Sequence, residues 1–92
     1  MPKIIEVIPR ENYKLYVKYS DGLEGTINMQ KMIKHKEYEA LRDPEEFKKV
    51  SVDPRSKDIV WECGATMCKV ATWNMLKLLS EMRALGINNE KG

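Results

Sequence analysis

The spacing of hydrophobic residues changes along the chain, and each change marks an element. Ile4, Ile5, Val7 and Ile8 are β-formers in a run over residues 3–8 that Pro9 stops. Arg10-Glu11-Asn12 is a polar turn. Tyr13, Leu15, Val17 and Tyr19 then alternate with Lys14, Tyr16 and Lys18, the period-two pattern of a strand with one buried and one wet face. Ser20-Asp21-Gly22 closes it, and Asp-Gly is a strong hairpin signal because Gly accepts positive φ. Residues 23–27 make the return strand.

Beyond the hairpin the period becomes helical for a short stretch. Asn28 is placed to cap a helix over residues 29–36, with Met29, Met32 and Ile33 on its apolar side. Tyr38 and Leu41 follow as irregular apolar anchors. Asp43-Pro44-Glu45-Glu46 reads as a cap, a proline at the first helical position and acids in the first turn, predicting one turn that ends near Lys49. Val50 and Val52 open another strand, Asp53-Pro54-Arg55-Ser56 turns it, and residues 58–62 return it with Ile59 and Trp61 on one face. Gly64 breaks that strand. From about Met67 to Leu85 the period is helical again, and Gly86 stops it, with Ile87 placed to fold back on Met82. Residues 88–92 are expected to fray. The predicted fold is α+β, one domain over residues 1–92 with the order β-β-β-α-β-β-α, a small, mostly antiparallel sheet and a long C-terminal helix packed on it.

Composition narrows the function more than it names one. Ninety-two residues are too few for a Rossmann, barrel or kinase scaffold. Sixteen Lys and Arg stand against 14 Asp and Glu, so the net charge of +2 argues against polyanion binding by bulk charge. A hydrophobic fraction of 42% argues against whole-chain disorder. No run approaches the roughly 20 apolar residues of a membrane helix, and a charge interrupts the N-terminal apolar run, unlike a signal peptide. With only Cys63 and Cys68, a disulfide scaffold is not expected, and the cytoplasm is the expected compartment.

The chemistry-bearing residues are sparse. Cys63 and Cys68 supply two ligands where a structural metal site needs about four, and the single histidine, His35, lies in another element, so no metal or cofactor is expected. Ser20, Ser51, Ser56 and Ser80 lack a nucleophile-elbow context, Asp21 and Asp53 sit in turns, and no phosphate-binding glycine loop is present. The chain is therefore expected not to be an enzyme. A candidate nucleic-acid surface combines Lys14, Tyr16 and Lys18 on the wet strand face with Lys31, Lys34 and Lys36 around His35. Glu37, Glu39, Glu45 and Glu46 dilute that field.

The C-terminal helix carries the larger signal. Ala71, Met75, Leu78, Met82 and Leu85 fall at alternating steps of four and three, a heptad-like seam that Leu76 and Leu79 widen, with Trp73 off it. A two-layer fold needs one such stripe against its sheet, yet this helix is apolar over more than one stripe. Trp73, Met75, Leu78, Leu79 and Met82 are the candidate partner contacts, either for a protein partner or for a homodimer.

The order of these signals resembles a bacterial family, domain of unknown function 2442, over about residues 3–68. The resemblance lies in the first strand, Tyr19-Ser20-Asp21-Gly22, Leu41-Arg42-Asp43-Pro44 with Phe47, Val50-Ser51-Val52-Asp53, and Ile59-Val60-Trp61 followed by Gly64. It implies a small sheet with short helices. Where the family pattern reads like Trp-x-Asn-Gly-x-Asp, this chain has Cys63 and Thr66 in the Asn and Asp positions. Family genes often sit beside a second small family, domain of unknown function 4160, which implies toxin–antitoxin-like pairs. The expected function is thus a non-catalytic protein-interaction module, antitoxin-like, with nucleic-acid binding through the basic residues as the alternative.

Overall fold

The computed structural model describes residues 1–86 of the chain. Strands β1 (Ile4–Arg10), β2 (Lys14–Tyr19) and β3 (Glu24–Asn28) precede a one-turn helix, α1 (Pro44–Phe47). Strands β4 (Val50–Val52), β5 (Ile59–Trp61) and β6 (Thr66–Met67) follow, and α2 (Lys69–Ala84) ends the described chain. The α+β class holds, but the strands divide into two three-stranded antiparallel sheets, β1-β2-β3 and β4-β5-β6, where one sheet is expected from the sequence.

Alternation dictates the first sheet. Leu15, Val17 and Tyr19 are wholly buried on one face of β2, while Lys14, Tyr16 and Lys18 lie on the other. Across the hairpin Leu15 pairs with Ile27 and Val17 with Gly25. Gly22 takes φ 94° in the turn, and the Leu23 N–H donates to Asp21 Oδ1 at 3.0 Å. The link from β1 to β2 is tighter than expected. Arg10 already pairs with Lys14, so Glu11, Asn12 and Tyr13 make the turn, with Asn12 and Tyr13 both at φ 60°. Tyr13 therefore leaves the strand. Its ring meets Phe47 edge-on at 5.5 Å and its hydroxyl donates to the Arg42 carbonyl.

The helix expected over residues 29–36 is replaced by 3₁₀ turns at Met32–Lys34 and Lys36–Arg42. Asn28 Oδ1 accepts from the Gln30 N–H at 2.9 Å, closing a local turn instead of capping an α-helix. Met29 is wholly buried and its N–H donates to the Tyr13 carbonyl at 2.9 Å, which holds the start of the segment against the hairpin. A stretch this short cannot recover the cost of helix nucleation once its first residues are committed elsewhere. Arg42 binds it from the far end, donating Nε to the Ile33 carbonyl at 2.8 Å and Nη2 to the Lys34 carbonyl at 2.9 Å. The predicted cap of α1 is present, with Glu45 N–H on Asp43 Oδ1 at 3.0 Å.

Gly64, at φ 102°, turns β5 back into β6, a strand the sequence pattern does not announce. Its residues Thr66 and Met67 pair with Val60 and Ile59, so α2 starts at Lys69, two residues after Met67. One hydrophobic cluster joins the two sheets, with Leu15, Val17 and Ile27 from one, Ile59, Trp61 and Met67 from the other, and Leu76 from α2. The Trp61 indole N–H donates to the Phe47 carbonyl at 3.0 Å, satisfying the one polar atom of that buried ring. Gly86 stops α2 at φ 77° as expected. The predicted Ile87–Met82 contact and the frayed tail fall outside the described residues. Among the described residues no helix is long and apolar enough to cross a membrane.

Candidate interaction surface

Helix α2 is anchored along one face and at its start. The Lys69 N–H, an orphan donor of the first turn, is taken by Asp58 Oδ1 at 2.8 Å. Lys69 Nζ reaches the Ser56 carbonyl at 2.8 Å and lies 3.7 Å from Asp58. From the sheet below, the buried Tyr19 hydroxyl donates to the Lys69 carbonyl at 2.7 Å, and burial pushes its pKa up to about 12. Thr72 returns its hydroxyl to the Cys68 carbonyl at 2.8 Å. One turn on, the Trp73 indole N–H donates to Asp21 Oδ2 at 3.0 Å, locking the helix to the hairpin tip. The Leu23 N–H and then this indole hold the Asp21 carboxyl below its ordinary value. Leu76 follows against β3, so close that a Cβ on Gly25 would lie 3.0 Å from Leu76 Cδ2.

The face doing this packing is not the heptad-like seam. Thr72 and Leu76 are the buried residues of α2, at 1% and 2% exposure. At about 100° per residue, Ala71, Leu78 and Leu85 lie roughly 140–180° around the helix from Leu76. Leu78 is accordingly 58% exposed and Leu85 76%, with Ala71 exposed beside them. Met75, Leu79 and Met82 are half-buried on the shoulder between the two faces. The sequence pattern therefore finds the right residues and leaves their direction open. Of the five candidate contacts, Leu78 faces outward, Met75, Leu79 and Met82 border it, and Trp73 is held inward by Asp21. Leu79 also lines a shallow cleft with Leu76, Ser80 and Arg83 against Glu24–Thr26 of β3. Leu85, outside those five, is the most exposed large apolar residue described.

The basic sheet face is arranged differently. Tyr16 donates its hydroxyl to Glu24 Oε1 at 2.6 Å, which pushes its pKa up to about 12, and the Arg10 guanidinium lies 5.5 Å over its ring. Lys18 sits between Glu6 on β1 and Glu24 on β3. The ring that would stack a base is thus already engaged, and the charges around it are mixed. Lys31, Lys34 and Lys36 are exposed on the following turns, in a separate group that Arg42 fixes through the backbone. The two halves of the candidate nucleic-acid surface belong to different elements.

Cys63 and Cys68 are both free and exposed. Cys63 occupies the turn before β6 and Cys68 follows its far end. Thr66 is exposed on β6, and its carbonyl accepts from the Tyr38 hydroxyl at 2.9 Å. Among the described residues no group of three or more His, Cys, Asp or Glu is placed to hold a metal ion.

No curated protein and no solved structure matches the chain. A family described as "Protein of unknown function (DUF2442)" matches residues 4–68, from the first residue of β1 to the one before α2. With all six described strands inside that match, the chain belongs to the DUF2442 family.

Proposed function

We propose that this protein is a non-catalytic protein-binding module of the cytoplasm that docks its partner on the outward apolar face of α2. The observation that carries the proposal is the exposure of Leu78 and Leu85, 58% and 76%, on a helix whose opposite face is already packed. Leaving such groups in water forgoes roughly 1.5–3 kcal/mol per buried leucine, a gain that a docked surface recovers. The free cysteines accord with a reducing compartment. The gene neighbourhood implied by the family resemblance makes an antitoxin-like complex with a small neighbouring protein one form of this function. The sheet-face alternative is less favoured, because Tyr16 is engaged by Glu24 and Arg10.

A photo-crosslinking residue placed at Leu78 or Leu85 in the living host reads the contact directly, with the exposed Glu45 of α1 as control. One adduct of defined mass from the helix positions, absent from the control, is the expected result. No adduct, or the same adducts from all three positions, overturns the proposal.

A further inference from the structure

We infer that the occupant of this face is a second copy of the chain, its α2 laid antiparallel across the first on a two-fold axis through Leu78. The inference rests on reading α2 as a docking surface and names the partner. A two-fold contact must be self-complementary, residue i meeting j and j meeting i. The outward residues are nearly palindromic about Leu78, with Ala71 and Leu85 seven positions to either side and Met75 and Met82 three and four. Antiparallel pairing sets Leu78 on its own counterpart and Met75 beside the second copy's Met82. It also sets Leu85, the most exposed large apolar residue described, on the exposed Ala71, the smallest residue of the seam. Large meets small, twice.

Charge selects the same direction. Lys77 and Glu81 are exposed on the flank of the seam toward the hairpin tip, where Lys77 also lies near the Asp21 carboxylate, and Leu79 is on the other flank, toward β3. In the antiparallel pair like flanks face each other, and the register about Leu78 brings Lys77 of each copy near Glu81 of the other. A parallel pair would instead turn Glu81 toward the flank carrying Leu79. The seam points about 140° away from Leu76 and the sheet it packs on, so the two bodies splay apart without collision. Area sets the strength. A 16-residue helix about 24 Å long and about 10 Å wide offers roughly 250 Å² per copy, below the roughly 800 Å² of a standard interface, so the dimer is weak and reversible.

Sedimentation equilibrium of the full chain, from low to high micromolar, tests this with Leu78→Glu, Lys77→Glu, Glu81→Lys and the double charge swap. Wild type is expected to show a reversible monomer–dimer equilibrium, and Leu78→Glu to remain a monomer that melts like wild type in dilute solution. Each single reversal weakens the dimer roughly threefold to tenfold, and the double swap restores it. A wild type monomeric throughout, a dimer that survives Leu78→Glu, or reversals that do not rescue one another overturns the inference. A monomer that still crosslinks through position 78 to a different protein removes only the second copy as occupant. Neither dimer nor crosslink removes the docking surface as well.

Discussion

The first half of α2 and its second half are similarly apolar and sit in opposite environments. From Lys69 to Leu76, successive turns are tied down by Asp58, Tyr19, Asp21 and the close approach to Gly25. From Lys77 to Leu85, the leucines and Met82 lie on or beside a face that turns outward, with Leu78 and Leu85 largely in water. The fold accounts for the hydrophobicity of the first half through Trp73, Met75 and Leu76, while Val70, 45% exposed, and Ala71 stay outward. It leaves that of the second half over, and a surface leucine that contributes nothing to the core is where a partner gains its contact.

Truncation separates the halves most sharply. Leu76→Ala removes a buried side chain from the junction of α2 with β3 and should lower unfolding stability by about 2–5 kcal/mol in a denaturant titration. Overpacking the same junction is the next largest effect. Gly25→Val places a branched side chain where even a Cβ would lie 3.0 Å from Leu76 Cδ2, costing about 1–3 kcal/mol by the same titration.

The anchor at Tyr19 is legible through pH. Its folded pKa of about 12 lies above the ordinary 10.0, so the unfolded chain ionises first as pH rises. Stability is therefore fully present below about pH 10 and is lost toward pH 12, by about 2 kcal/mol from this residue. Tyr19→Phe should cost about 1 kcal/mol at neutral pH through the lost bond to the Lys69 carbonyl, and should flatten much of the alkaline slope. The part due to Tyr16, also raised to about 12, remains. Smallest of all, Leu78→Ala should change the stability of dilute protein by less than about 0.5 kcal/mol. An effect there as large as at Leu76 would erase the distinction between the halves.

The hairpin was readable in the sequence because both of its signals are local, strict alternation along β2 and Asp21-Gly22 at the turn. The cap of α1 was readable for the same reason, since Asp43 and Pro44 act on their immediate neighbours. What distance decides was not readable. Asn28 looks like a helix cap, but the bond from Met29 to the Tyr13 carbonyl settles the conformation after it. Strand β6 is two residues long and exists only through pairing with β5. In α2 the seam of Ala71, Met75, Leu78, Met82 and Leu85 is a better heptad than the face that packs. The position of β3, where Gly25 lets a leucine come close, selects Leu76 instead. Periodicity finds an apolar face; only the tertiary fold says which face is already covered.

The most direct measurement is the thermal unfolding midpoint of wild type and Leu78→Glu as a function of protein concentration. A second copy on the outward face of α2 stabilises only the folded chain, so the wild-type midpoint should rise with concentration. The Leu78→Glu midpoint should stay flat and meet the wild-type value in the dilute limit. A wild-type midpoint that does not move, or a variant that already melts lower when dilute, would contradict an outward face reserved for a second copy.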